Sequence, residues 1–200
     1  MVTLLVAYST LLYNKGKRRM LMKAQEVLDF WFKELKEEDR FKKDDQLDEL
    51  IRDRFLETHG RVARGETYQW RQSIHGRLAE IIVLDQFSRN MFRETPESFS
   101  YDGQALILAQ EAINTGDVEE LTPLEQGFLY MPFMHSESVC IHEVAMTLFS
   151  KSGMETFFDF EKQHFDIIKK YGRYPHRNHL LGRETTPEEE LFLTQPGSSF

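Results

Sequence analysis

Asp85 and Arg89 stand four residues apart, acid before base, in a stretch whose inward positions are otherwise apolar. Advanced by about 100° per residue, Ile74, Leu78, Ile81, Ile82 and Phe92 define one helical face, and Asp85 and Arg89 fall in its middle. That spacing lets them pair along the helix. A charge in such a place must have a partner, because burying it alone is too costly. Glu137 projects onto the face made by Ile141, Val144, Ala145 and Leu148. His164 projects between Phe157, Phe160, Ile168 and Tyr171, with Glu161 beside it. A loop then crowds Arg173, His176, Arg177, His179 and Arg183 into eleven residues, and forked guanidinium groups at that density can hold an anion. Asp85, Arg89, Glu137, His164, Arg173, His176 and Arg177 are therefore the candidate ligand-binding residues, and a small anionic molecule is the ligand they suggest.

Each candidate also has an ordinary structural reading. A buried acid–base pair can serve only to fix helix register. A histidine on an apolar face is commonly a satisfied core residue, and His59, His75, His142 and His179 are read that way. The arginine-rich loop could equally cap helix carbonyls.

The spacings narrow the chemistry further. Glu161-Lys-Gln-His164 has the Glu-x-x-His form of di-iron bundles, but such a site needs two copies and two more Glu, and the chain has one copy. His142-Glu143 opens a zincin-like string in which Met146 takes the place of the second His. No metal site is expected, with a mixed His135, Glu137 and His164 set as the alternative. Cys140 lies beside an apolar helix face without a basic neighbour and reads as an inert packed thiol. None of the glycine-rich phosphate loops or nucleophile-elbow strings occurs, so no cofactor can be named. Acid–base work by Glu137 with His164 or His176 is chemistry without a specified substrate.

These side chains require helices to position them, and helices are what the pattern supplies. Ala24 to Lys36 carries Val27, Leu28, Trp31 and Phe32 on one side. Asp44 or Asp45 caps a second helix with Leu47, Ile51 and Phe55 inward. Ser73 opens a long helix to about Phe92, apolar over so much of its circumference that it reads as central. Asp102 caps Gln104 to Asn114, before Thr115-Gly116. Thr122-Pro-Leu-Glu125 and Thr186-Pro-Glu-Glu189 are start signals with a capping hydroxyl, a first-turn proline and a glutamate three residues on. Pro132 is expected to break or kink the helix it sits in. Further helices run from about Ser136 to Phe149 and from Met154 to Tyr171, where Gly172 stops the second. Nothing reads as a strand. The expectation is an all-α fold of seven or eight helices in antiparallel hairpins, residues 22–200 forming one domain.

The bulk composition agrees. Two hundred residues, 40% hydrophobic and with 16 Phe, suffice for a core without disulfides or metals. A formal charge of −8 argues against nucleic acid or an anionic membrane as partner. No run reaches the length needed to span a bilayer. One cysteine suits a reducing compartment, so the cytoplasm is the expected location. Residues 1–21 are apolar and then basic, with no acid before Glu26. They read as an N-terminal extension, or as an organellar transit peptide.

At four strings the chain resembles a known family: Val27-Leu-Asp-Phe-Trp-Phe32, Leu84-Asp-Gln-Phe-Ser-Arg-Asn-Met-Phe-Arg93, Tyr130-Met-Pro-Phe-Met-His-Ser-Glu137 and Gly172-Arg-Tyr-Pro-His-Arg-Asn178. Leu181-Gly-Arg183, Thr186-Pro-Glu-Glu189 and Pro196-Gly197 are similar too. The family is domain of unknown function 924, and the resemblance covers about residues 22 to 200. It implies a tetratricopeptide-like helical fold and no established activity. Two functional classes follow: a module presenting a groove to a peptide or protein partner, or a small-molecule site, binding or enzymatic, where the candidate residues converge.

Overall fold

The computed structural model describes residues 22–199, so the reading of residues 1–21 lies outside the described residues. Among those described there are eight helices and no strand. Helix α1 (Ala24–Asp29) is prolonged by a π-helical turn, Phe30–Glu34, and α2 is Asp45–Ala63. Helix α3 runs without a break through an α segment (Ile74–Ile82), a π turn (Val83–Phe87) and a last α turn (Ser88–Met91). Then come α4 (Asp102–Asn114), α5 (Pro123–Met134), α6 (Val139–Phe149), α7 (Glu155–Tyr171) and α8 (Pro187–Leu193).

The start signals do what their chemistry predicts. Asp44 accepts from the backbone of Gln46 and Leu47, and Ser73 accepts from Gly76. Thr122 and Thr186 each form a reciprocal box with the glutamate three residues on. The break expected at Pro132 comes two residues later: α5 continues to Met134 and His135 closes it. Asp102 is no cap. It is the first residue of α4, preceded by Tyr101, and its carboxylate is engaged elsewhere.

Helix α3 is the axis of the molecule, and all eleven residues from Leu78 to Ser88 are buried. Helices α1, α2, α4 and α5 pack on it, and α5–α6 and α6–α7 continue the bundle as successive hairpins. Phe30, Trp31, Phe55, Phe87 and Phe128 meet edge-on or tilted in the core, an arrangement that suits aromatic quadrupoles. Two glycines set close approaches. A Cβ on Gly76 would lie 1.8 Å from the Trp70 carbonyl oxygen, and one on Gly127 would lie 2.3 Å from the Phe157 ring. The segment after α7 joins a small second cluster of Ile167, Ile168 and Tyr174, flanked by Tyr171 and Phe192. Cys140, expected to be packed, is exposed on α6. No helix among the described residues is long and apolar enough to cross a membrane.

Candidate functional site

The π turn brings Asp85 to the centre of a polar cluster inside the bundle. Its Oδ1 accepts from His135 Nδ1 at 2.7 Å and meets Arg89 Nη1 at 3.1 Å; its Oδ2 accepts from the Gln86 amide at 2.5 Å. Asp85 has no exposure to solvent. Burial pushes its carboxyl up, but Arg89, His135 and Gln86 together outweigh that and hold it well below the ordinary carboxylate range. It is a buried anion, and its charge is met by its neighbours.

Arg89 turns its other edge to Asp102, with both Nη atoms on the two carboxylate oxygens at 2.9 and 3.0 Å. Arg177, from the short 3-10 turn Pro175–Arg177, reaches the same carboxylate through Nη1 at 3.1 Å. Its Nη2 donates to the backbone carbonyl of His135, also at 3.1 Å. The chain of contacts thus closes: His135 side chain, Asp85, Arg89, Asp102, Arg177, His135 backbone. Four segments distant in sequence supply this ring, and it holds His135 from both ends. The Arg177 guanidinium also lies between the Phe99 and Tyr174 rings, 4.6 and 4.7 Å from their centroids, a favourable place for a desolvated cation.

Beside the ring a groove of about 400 Å³ opens to solvent. Phe99, Leu106, Pro132 and Leu181 give it apolar walls, and Asp102, His135 and Arg177 give it a polar floor. Glu137 stands at its edge, where both carboxylate oxygens take Arg183 (2.7 and 2.9 Å) and one takes the Tyr174 backbone N–H at 2.8 Å. Burial raises the Glu137 carboxyl, but Arg183 and the Tyr174 amide bring it below its usual range.

A second polar knot lies around Tyr174. His142 turns Nδ1 to Glu161 at 2.6 Å and Nε2 to the Ser136 carbonyl at 2.8 Å. A carbonyl only accepts, so Nε2 carries a proton there. The Tyr174 hydroxyl donates to the Met134 carbonyl. His164 donates from Nδ1 to the Phe160 carbonyl at 2.8 Å, and its ring meets that of Tyr174 edge-on. Burial takes His164 down to about 3, and burial with the nearby Arg177 and Arg89 takes His176 down to about 4.

The structure therefore divides the sequence candidates. Asp85, Arg89 and Arg177 come together, with Glu137 at the rim. His164 and His176 pack on Tyr174 and do not line the groove. Arg173 is drawn off to α8, where it pairs with both oxygens of Glu189. His135, Asp102 and Phe99 complete the site, and the spacing of residues gave each a different role or none. Among the described residues no cluster of His, Cys, Asp or Glu is arranged to hold a metal.

The model of a family described as "Bacterial protein of unknown function (DUF924)" matches residues 27–197. A solved structure of a protein of unknown function from Agrobacterium tumefaciens is similar at a TM-score of 0.81 and 36% sequence identity, over 85% of this chain and 96% of that one. No curated protein matches the chain.

Proposed function

The chain belongs to the family described as bacterial proteins of unknown function (DUF924), and from that premise we propose that it binds a small molecule in the groove beside His135. One observation carries the reading: Asp102, His135 and Arg177, from three separate segments, meet in a groove that Phe99, Leu106, Pro132 and Leu181 also line. Its volume of about 400 Å³ is in the range that takes small molecules and not folded partners. A peptide groove, the other expectation, would need a longer apolar track than these walls provide.

Charge narrows the ligand. An anion was suggested by the arginine-rich loop, yet Arg89, Arg177 and Arg183 each face a carboxylate: Asp85, Asp102 or Glu137. Three positive and three negative groups leave the site without net attraction for an anion, which would have to displace Asp102 or Glu137. An uncharged molecule with an apolar flank fits the walls and leaves the ring intact.

A thermal-shift screen of small compounds grouped by charge tests this. Uncharged members are expected to stabilise the protein. At a hundredfold excess over Kd the gain is about 2.7 kcal/mol, or roughly 5–10 °C for a chain of this size. Gly103 lines the groove, and a Cβ there meets nothing within 4 Å. Gly103→Trp should therefore fill the groove, leave the ligand-free melting temperature nearly unchanged and abolish the shift. Stabilisation that persists in Gly103→Trp would place the site elsewhere.

A further inference from the structure

We infer that His135 is a proton acceptor for a hydroxyl group of the groove's ligand, so that the groove is a site of acid–base chemistry on an uncharged, weakly acidic O–H compound. The inference rests on the groove reading and adds a reaction to it.

The geometry of one ring carries the argument. Asp85 is ionised and can only accept, so the proton in the 2.7 Å contact belongs to His135 Nδ1. In the neutral imidazole the lone pair is then on Nε2. That nitrogen has no hydrogen-bond partner among the described residues, while the ring is 14% exposed and lines the groove. His142 shows what a structural histidine in this fold looks like: both of its nitrogens meet protein groups, one on Glu161 and the other on the Ser136 carbonyl. His135 has one nitrogen anchored on Asp85 and the other without a protein partner, on a ring that lines the groove. Burial and the nearby Arg89 lower its proton affinity despite Asp85, so it is neutral and available at physiological pH.

The O–H bond of the ligand breaks, an Nε2–H bond forms, and the electron pair stays on the ligand oxygen. Asp85 then faces an imidazolium, the orienting and charge-matching role that a carboxylate plays in His–Asp pairs. The new oxyanion lies in a groove whose floor includes the Arg177 guanidinium. Two of that group's N–H bonds are occupied, by Asp102 and the His135 carbonyl, and its Nε has no partner among the described residues. Arg177 is thus both a positioning residue for His135 and the positive charge closest to hand for the product anion.

Two measurements test the inference. Nitrogen-15 NMR of the imidazole rings in the unaltered protein should show His135 protonated at Nδ1 and bare at Nε2 at neutral pH; the opposite tautomer overturns it. The second probe is 4-nitrophenol, whose absorbance reports its own ionisation. Bound to the wild-type protein, its ionised-to-neutral ratio should rise severalfold over the free compound at the same pH. In His135→Gln it should bind with the ratio unchanged. Binding to the wild type without a change in ionisation refutes His135 as base and leaves the groove reading standing. Failure of the phenol to bind refutes the hydroxyl class, and an ionisation change that survives in Gly103→Trp refutes the groove reading itself.

Discussion

Asp102 meets two guanidinium groups with one carboxylate: both Nη atoms of Arg89 and the Nη1 of Arg177. A helix-capping aspartate, as its position suggests, would be worth about 1 kcal/mol. A carboxylate that neutralises partly buried cations is worth more, because its loss strands the charges; breaking such a pair costs roughly 3–5 kcal/mol. Asp102→Ala should therefore lower the urea-unfolding free energy by that larger amount, and a loss near 1 kcal/mol would show that the ring is incidental. The same residues show how far the site could be read from sequence. Asp85–Arg89 was legible because the partners are four apart on one helix, and geometry fixes such pairs locally. Asp102–Arg177 spans 75 residues, His135–Asp85 spans 50 and Glu137–Arg183 spans 46. Nothing in the local pattern couples them. Arg173, equal to Arg177 in sequence, went to Glu189 because α8 presents a carboxylate within reach.

Helices were more legible than side-chain partners, since capping and periodicity act within one or two turns. Thr122 and Thr186 announced their helices through boxes that the structure contains. The two π turns gave no comparable signal. Each shifts the phase of its helix by a residue, so a projection at constant pitch drifts past it; the turn at Val83–Phe87 is where Asp85 and Gln86 sit. Such turns recur at functional sites, where a helix must present an out-of-phase side chain. Close packing was also hidden. Gly76 stands in the first turn of α3, where alanine is ordinarily the better helix former, yet a Cβ there would collide with the Trp70 backbone, 1.8 Å from the oxygen and 2.6 Å from the carbon. Backbone cannot swing aside as a side chain can. Gly76→Ala should cost a net 1–3 kcal/mol or so, the usual range for overpacking. Gly127→Ala, whose obstacle is the Phe157 ring, should cost less. Chemical denaturation of both variants decides the order, and a neutral Gly76→Ala would contradict the close approach.

For the molecule as a whole, buried histidines govern the response to acid more than the carboxylates do. His59, 2% exposed and bonded to Ser88, is taken down by burial to about 4; His164, 5% exposed, is taken down to about 3. The unfolded chain binds protons at both near pH 6.5, and the folded chain refuses them until well below that. Between these limits the unfolded state holds more protons, so stability falls as the pH drops. Each histidine contributes about 1.4 kcal/mol per pH unit, or roughly 2 kcal/mol by pH 5. Asp85 works in the same sense but lower on the pH axis: its folded-state value is depressed, so its contribution is full above the ordinary aspartate range and is lost as the pH falls below it. The two effects separate along the pH axis. Urea midpoints should decline steadily from pH 6.5 to 4, before the buried carboxylate takes up a proton. His164→Phe, which keeps an aromatic ring beside Tyr174 and removes one titrating group, should take about 1.4 kcal/mol per pH unit out of that decline, at some cost in stability at neutral pH, where the bond to the Phe160 carbonyl is lost. A midpoint unchanged between pH 7 and 5 in the wild-type protein would mean that these imidazoles are hydrated, and the dry interior that also holds Asp85 and Arg89 would have to be abandoned.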